Sequence, residues 1–143
     1  MKFPKKKLII FMPSMEGGGV EKNLILVSNY LSGYIQNITL ITFDNRFNNV
    51  FEKKIKIINS HSHSNKKYSK YFKYLMCIIL LIKELFKGQK SVVFSFQANI
   101  YCCVLSLLFN FDLIVRSNTS PAGWNKNFLK NYIFKIFLKK ANN

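Results

Sequence analysis

The stretch from Leu8 to Leu31, LIIFMPSMEGGGVEKNLILVSNYL, limits most strongly what this chain can fold into. The run from Lys7 to Pro13 is apolar after its first residue and reads as a strand buried on both faces. The segment from Val20 to Gly33 repeats apolar residues at helical spacing, with Val20, Leu24, Val27 and Leu31 on one side. Gly17, Gly18 and Gly19 join the two. Strand, glycine turn and helix together suit a phosphate: glycine lets a ligand come close to the backbone, and the opening helical turn offers unpaired amides and the positive end of its dipole. The spacing is neither of two common nucleotide loops. G-x-G-x-x-G needs a glycine where Lys22 stands, and a P-loop needs G-K-[ST]. A tight structural turn is the alternative reading of the same residues.

Downstream the pattern keeps alternating. NITLITF, Asn37 to Phe43, and KIKIIN, Lys54 to Asn59, predict two strands, the second alternating charged and apolar residues like a sheet edge. A polar loop containing SHSHS leads into a long helix predicted over Tyr71 to Lys87, stopped at Gly88. Ser91 to Phe96 reads as a strand, Ala98 to Phe109 as an apolar helix, and Asp112 to Arg116 as a last short strand. After the turn SNTSPAGW, helical spacing resumes over Asn127 to Lys140. Such an order predicts right-handed crossovers and an α/β, Rossmann-like, doubly wound, mostly parallel sheet, built as one unit over residues 1–143. A chain of 143 residues with 49% hydrophobic content can bury a core of that size.

Charge and cysteine use narrow the class. The formal net charge of +16 favours a polyanion or an anionic membrane surface as a partner. Twenty of the 22 basic residues are lysines, and the chain is crowded with Asn, Ile, Phe and Tyr, so A- and T-rich codon usage is a competing source of that charge. Cys77, Cys102 and Cys103 sit in apolar surroundings without C-x-x-C spacing and read as buried thiols of a reducing compartment. The basic N-terminus leads into a short apolar run and then glycines, so it reads as the first strand and not as a signal peptide. The apolar run from Leu75 to Ile82 is far below the roughly 20 residues that span a bilayer. His61 and His63 read as a solvated loop, since no carboxylate or cysteine lies near in sequence to complete a metal set.

Ligands of such sheets bind beyond the carboxyl ends of the strands, which selects the loops after Pro13, Phe43, Phe96 and Arg116. Glu21 suits the first turn of a helix through the dipole alone, and Lys22 reads as a surface charge. Ser95, Gln97 and Asn99 emerge where a sugar or other polyol could be hydrogen-bonded, or else they cap the next helix. Arg116, one of only two arginines, offers a planar bidentate donor for phosphate or carboxylate, or a salt bridge to a neighbouring acid. KKYSKYFK, Lys66 to Lys73, reads as the charged start of an amphipathic helix whose Phe72, Leu75, Ile79 and Ile82 face the sheet, with peripheral membrane contact as the next reading and a nucleic-acid patch as the third.

The opening KLIIFMPSMEGGGVEKNLILVSNYL resembles the first strand, glycine loop and first helix of family 4 (group 1) glycosyltransferases of the GT-B fold, in which Gly-Gly-x-Glu is common. VVFSFQANIYCCVLSLLFNFDLIVRSNTSPAGW is similar to the fourth- to fifth-strand region of bacterial members that build surface polysaccharides. The resemblance implies the N-terminal, acceptor-side half of a retaining enzyme that needs no cofactor or metal. A nucleotide sugar is its donor, and a lipid-linked or oligosaccharide acceptor receives the sugar in polysaccharide or lipopolysaccharide assembly, in the cytoplasm or peripherally on the inner membrane face. It assigns donor-diphosphate and substrate contacts to Gly17, Gly18, Gly19 and Glu21, and more loosely to Ser95, Gln97, Arg116 and Asn118; it assigns no catalytic residue. SFQ stands where many members have a histidine or an acid. The chain ends near the last strand of the family's first domain, so the resemblance implies a fragment inactive alone. The alternative is a noncatalytic basic module that binds polyanions or an anionic membrane; with the transferase reading no nucleic acid is expected. A nicotinamide dehydrogenase is disfavoured by the glycine spacing unless Asp44 supplies the acid after the second strand.

Overall fold

The computed structural model describes residues 6–59 and 68–116. Its elements run β1 (Lys7–Phe11), α1 (Gly19–Ser32), β2 (Ile38–Thr42), a 3-10 turn (Asn48–Val50), β3 (Lys56–Asn59), α2 (Lys70–Leu85), β4 (Ser91–Ser95), α3 (Asn99–Leu108) and β5 (Asp112–Val115). All five strands are parallel, in the order β3-β2-β1-β4-β5. The chain therefore forms the expected α/β, Rossmann-like sheet, and each boundary falls within two residues of the expected one. His61, His63, Asn118 with its SNTSPAGW turn, and the helix expected over Asn127 to Lys140 lie outside the described residues.

Place in the sheet accounts for the sequence patterns. β1 is central and pairs with β2 and β4, so both of its faces are covered and its five residues are all buried. β3 and β5 are the edges, and they carry exposed Lys56 and Asp112, charges that discourage pairing with another strand. On one face Leu8, Ile10, Met12 and Leu40 pack against Leu24 of α1 and against Phe51 and Ile55 from the β2–β3 connection. On the other, Ile9, Phe11, Ile41 and Val93 meet Cys77 and Leu81 of α2 and Cys102 and Leu105 of α3. Each fully buried aliphatic or aromatic side chain contributes about 1.5–3 kcal/mol. The three thiols are free and buried as expected. Burial pushes Cys77 and Cys102 up to about 12 and Cys103 to about 11, so they stay protonated and pack as small apolar groups.

α2 corrects one expectation. The stripe turned to the sheet is Cys77, Leu81 and Glu84, with half-buried Lys73 in the same row. Leu75 and Ile79, expected there, are 56% and 39% exposed; Phe72 is also largely exposed and stacks on Tyr68, and Ile82 keeps only partial contact with the core. The cause is the uncharged run of nine residues from Tyr74 to Ile82, whose hydrophobicity leaves the rotation of the helix undetermined. Ion pairs at its two ends settle it. Lys73 Nζ lies 3.1 Å from Asp44 beyond β2, and buried Glu84 pairs with buried Lys7 of β1 and with Lys87. Burial pushes the Glu84 carboxyl up, but hydrogen bonds from Lys7 and Lys87 outweigh it and hold the group below its ordinary range.

Candidate functional site

From central β1 the chain moves first toward β2 and β3, then crosses back to β4 and β5, so the loops leaving β1 and β4 diverge to opposite faces of the sheet. The crevice between them is the switch point at which such folds bind ligands. One side chain spans it. Gln97, just past β4, accepts a hydrogen bond through Oε1 from the Ser14 amide at 3.1 Å, tying the β4 loop to the start of the glycine loop. The structure thus brings Gln97 to Ser14, three residues before the first glycine, across 83 residues of chain.

The three glycines do different things. Gly17 adopts φ +91°, a left-handed conformation that disfavours any L side chain. Gly18 is the N-cap of α1, and a Cβ there would stand 3.0 Å from Glu21 Oε2. Gly19 opens the helix with nothing near a would-be Cβ, so sterics do not require glycine. Glu21 is buried, and its other oxygen accepts the Glu16 amide at 3.1 Å; this is a capping contact that reaches beyond the N-cap and braces the loop from below. Ser14 Oγ in turn donates to Glu16 Oε1 at 3.2 Å. The loop therefore carries two carboxylates beside the free amides of α1, and any anion binding there must draw on cations from elsewhere.

Two arginines stand ready. Arg116 follows β5: its amide donates to the Ser95 carbonyl at 3.0 Å and its guanidinium lies over the Phe96 ring, 5.3 Å from the centroid. Among the described residues it has no carboxylate partner, which removes the salt-bridge alternative there. Sequence reasoning passed over the other. Arg46, in the loop after β2, donates through Nη2 to the Met15 carbonyl at 3.1 Å, and its neighbour Phe47 approaches Gly17. The rarity that singled out Arg116 applied equally to Arg46. Both arginines of a lysine-dominated chain lie at the carboxyl edge, on either side of β1.

Ser95 and Asn99 serve the frame. Ser95 is fully buried, with Oγ 2.8 Å from both the Gln97 carbonyl and Asn99 Oδ1, while Asn99 Nδ2 donates to the Arg116 carbonyl at 2.8 Å. Neither side chain caps α3. Its N-cap is Ala98 at φ 59°, ψ 32°, the only non-glycine residue with positive φ among those described, and alanine gives no sequence signal for such a turn. This cluster holds Gln97 and Arg116 in place, so Ser95 positions the site without lining it. Asp44 is engaged as well, 3.1 Å from Lys73 and 3.7 Å from Arg46, and is not presented to a ribose. A surface concavity of about 460 Å³ follows the β2–β3 connection, lined by Asn48, Phe51, Ile55 and Ile57 among others, and does not include the glycine loop.

Fold and crevice define a Rossmann-like α/β unit with its polar side chains gathered at the switch point. No protein-family model and no curated protein sequence matches the chain.

Proposed function

We propose that the chain is the acceptor-side domain of a retaining glycosyltransferase that moves a sugar from a nucleotide-sugar donor to a lipid-linked or polysaccharide acceptor in bacterial surface polysaccharide or lipopolysaccharide assembly. The observation that carries the reading is the Gln97–Ser14 bond, which closes the glycine loop against the β4 loop at the switch point between two sources of positive charge, Arg116 and Arg46, the latter 3.7 Å from Asp44. Arg46 and Arg116 suit the donor diphosphate, and the amides of Gly18 and Gly19 add hydrogen bonds from the helix start. Glu16 and the amide of Gln97 suit sugar hydroxyls. The donor's nucleotide would be held mainly by a second domain, as in the family that the sequence resembles. In the transfer the bond from the anomeric carbon to the diphosphate oxygen breaks and a bond to the acceptor oxygen forms on the same face. The acceptor's proton passes to the departing phosphate.

Gly18→Leu in the complete enzyme tests the reading. The new side chain would displace Glu21 and unseat the loop. Turnover is expected to fall by about a hundredfold or more, the size of losing a transition-state donor, and unchanged turnover would sink the assignment. A second reading is favoured by the net charge of +16: a noncatalytic module for polyanions. Salt-sensitive binding of polyanions without preference for sugar nucleotides would select it.

A further inference from the structure

The outer surface of α2 and α3 does not look like the solvated side of a soluble domain. Of the 14 large apolar side chains exposed among the described residues, nine lie on these two helices and the α2 C-cap. On α2 they form one line down the helix, Tyr71, Leu75, Ile79 and the cap residue Phe86. α3 has no charged residue at all, and Tyr101, Val104 and Leu108 line its outer side. The helices lie side by side: Tyr74 meets Tyr101 at 6.2 Å between ring centroids, and Phe86 meets Phe109 at 5.4 Å. The two lines therefore merge into one apolar surface, larger in kind than the scattered exposed hydrophobics of ordinary domains.

Charge tells what covers it. The chain has only six acidic residues, and the single one on α2 or α3, Glu84, is buried against Lys7 and Lys87. No exposed carboxylate lies on either helix, whereas exposed Lys70 stands at one end, Lys83 within the line between Ile79 and Phe86, and Lys87 and Lys90 at the other end, beyond which exposed Asp112 is paired with Lys6. An apolar centre with a predominantly cationic border matches the interface of an anionic bilayer, with acyl chains under the aromatic and aliphatic residues and lipid phosphates beside the lysines. α2 has 16 residues, and no described helix is long and apolar enough to cross a membrane, so the helices would lie in the interface.

We infer that the α2–α3 face docks the chain on an anionic lipid surface, inserting Leu75, Ile79 and Leu108 between headgroups held by Lys70 and Lys83. This stands apart from the transferase reading, whose site is at the strand ends, and either can fail without the other.

Flotation with vesicles tests it, using phosphatidylcholine alone and phosphatidylcholine mixed with phosphatidylglycerol. The chain should float with the mixed vesicles and lose that binding as salt is raised. Leu75→Ser/Ile79→Ser/Leu108→Ser should cut the partition at least about tenfold, and Lys83→Glu about fivefold. Leu26→Ser/Tyr30→Ser, exposed on α1 at the opposite face, should leave it unchanged. An Ile79→Cys variant carrying a polarity-sensitive dye gives an independent reading, since the three native thiols are buried. Its emission should shift to the blue only with the anionic vesicles. Binding that ignores phosphatidylglycerol, a triple variant that floats like the parent, or a dye that reports water throughout would each overturn the proposal. So would a chain that stays off vesicles and forms a dimer abolished by the triple variant, which would give the face to a second copy.

Discussion

The two ends of this sheet are held by opposite means. At the amino ends of the strands, Lys7 and Glu84 form an ion pair buried from both sides, with Lys87 added, and no long loop intervenes. At the carboxyl ends there is one partly buried ion pair, Lys73 to Asp44, and the short polar loops are otherwise stitched mainly by single hydrogen bonds between a side chain and the backbone: Gln97 to Ser14, Glu21 to Glu16, Arg46 to Met15, Asn99 to Arg116. A buried pair is costly to disrupt and offers a ligand nothing. Single bonds of about 1 kcal/mol each are of the size a ligand can replace. The contrast marks one end as the anchor and the other as the candidate working edge.

The largest effect should come from breaking the anchor. Glu84→Leu leaves Lys7 buried without its partner and is expected to destabilise the chain by about 3–5 kcal/mol in urea unfolding. Lys7→Met/Glu84→Leu should recover most of that loss, because it removes both charges together. A single variant within about 1 kcal/mol of the parent would break the comparison. The pH dependence has a definite sign. The folded carboxyl lies below its ordinary value of 4.5, so its contribution is fully present above that pH and is lost as pH falls through the folded value. The gap between parent and Glu84→Gln should therefore be widest near neutrality and narrow under acid, as a series of unfolding curves would show.

Inside the glycine loop the effects are smaller and divide the three residues. Gly17→Ala places a side chain at φ +91° and should cost about 1–2 kcal/mol. Gly19→Ala adds a methyl group to open space at the first position of α1, and should be neutral or stabilise by up to about 1 kcal/mol. Equal effects at the two positions would mean that the loop is not shaped as described.

Much of this frame was legible from residue order alone. β1 and the glycine turn could be read because a central strand needs an unbroken apolar run and a positive-φ turn needs glycine. The rotation of α2 was not, since Tyr74 to Ile82 are apolar all round and the deciding contacts, Lys73 to Asp44 and Glu84 to Lys7, join residues 29 and 77 apart in sequence. At the working edge Gln97 and Arg116 could be picked out as polar groups ending strands. That Ser95 is internal, that Arg46 lies across the glycine loop, and that Asp44 is engaged by cations all depend on how neighbouring loops fold over one another.

Ala98 gives the smallest effect and the finest test of the working edge. Its φ of 59° is unfavourable for alanine by roughly 1–2 kcal/mol relative to a right-handed conformation, and it turns the chain from β4 into α3 between Gln97 and Asn99. Local strain of this kind persists where the surroundings over-determine the backbone. Here those surroundings are the Ser95 hydroxyl beneath the turn and Asn99 reaching to the Arg116 carbonyl. Ala98→Gly relieves the strain, but it frees the unfolded chain and removes a methyl group packed on the α2–α3 core. The net expectation is a gain of a few tenths of a kcal/mol, up to about 1 kcal/mol, in urea unfolding. Under the proposed transferase reading, the transfer rate of the complete enzyme should in contrast fall if Gln97 must be held rigidly against Ser14. A variant both more stable and equally active would show that the turn is merely tolerated, whereas one more stable and slower would place the strain in the service of the crevice.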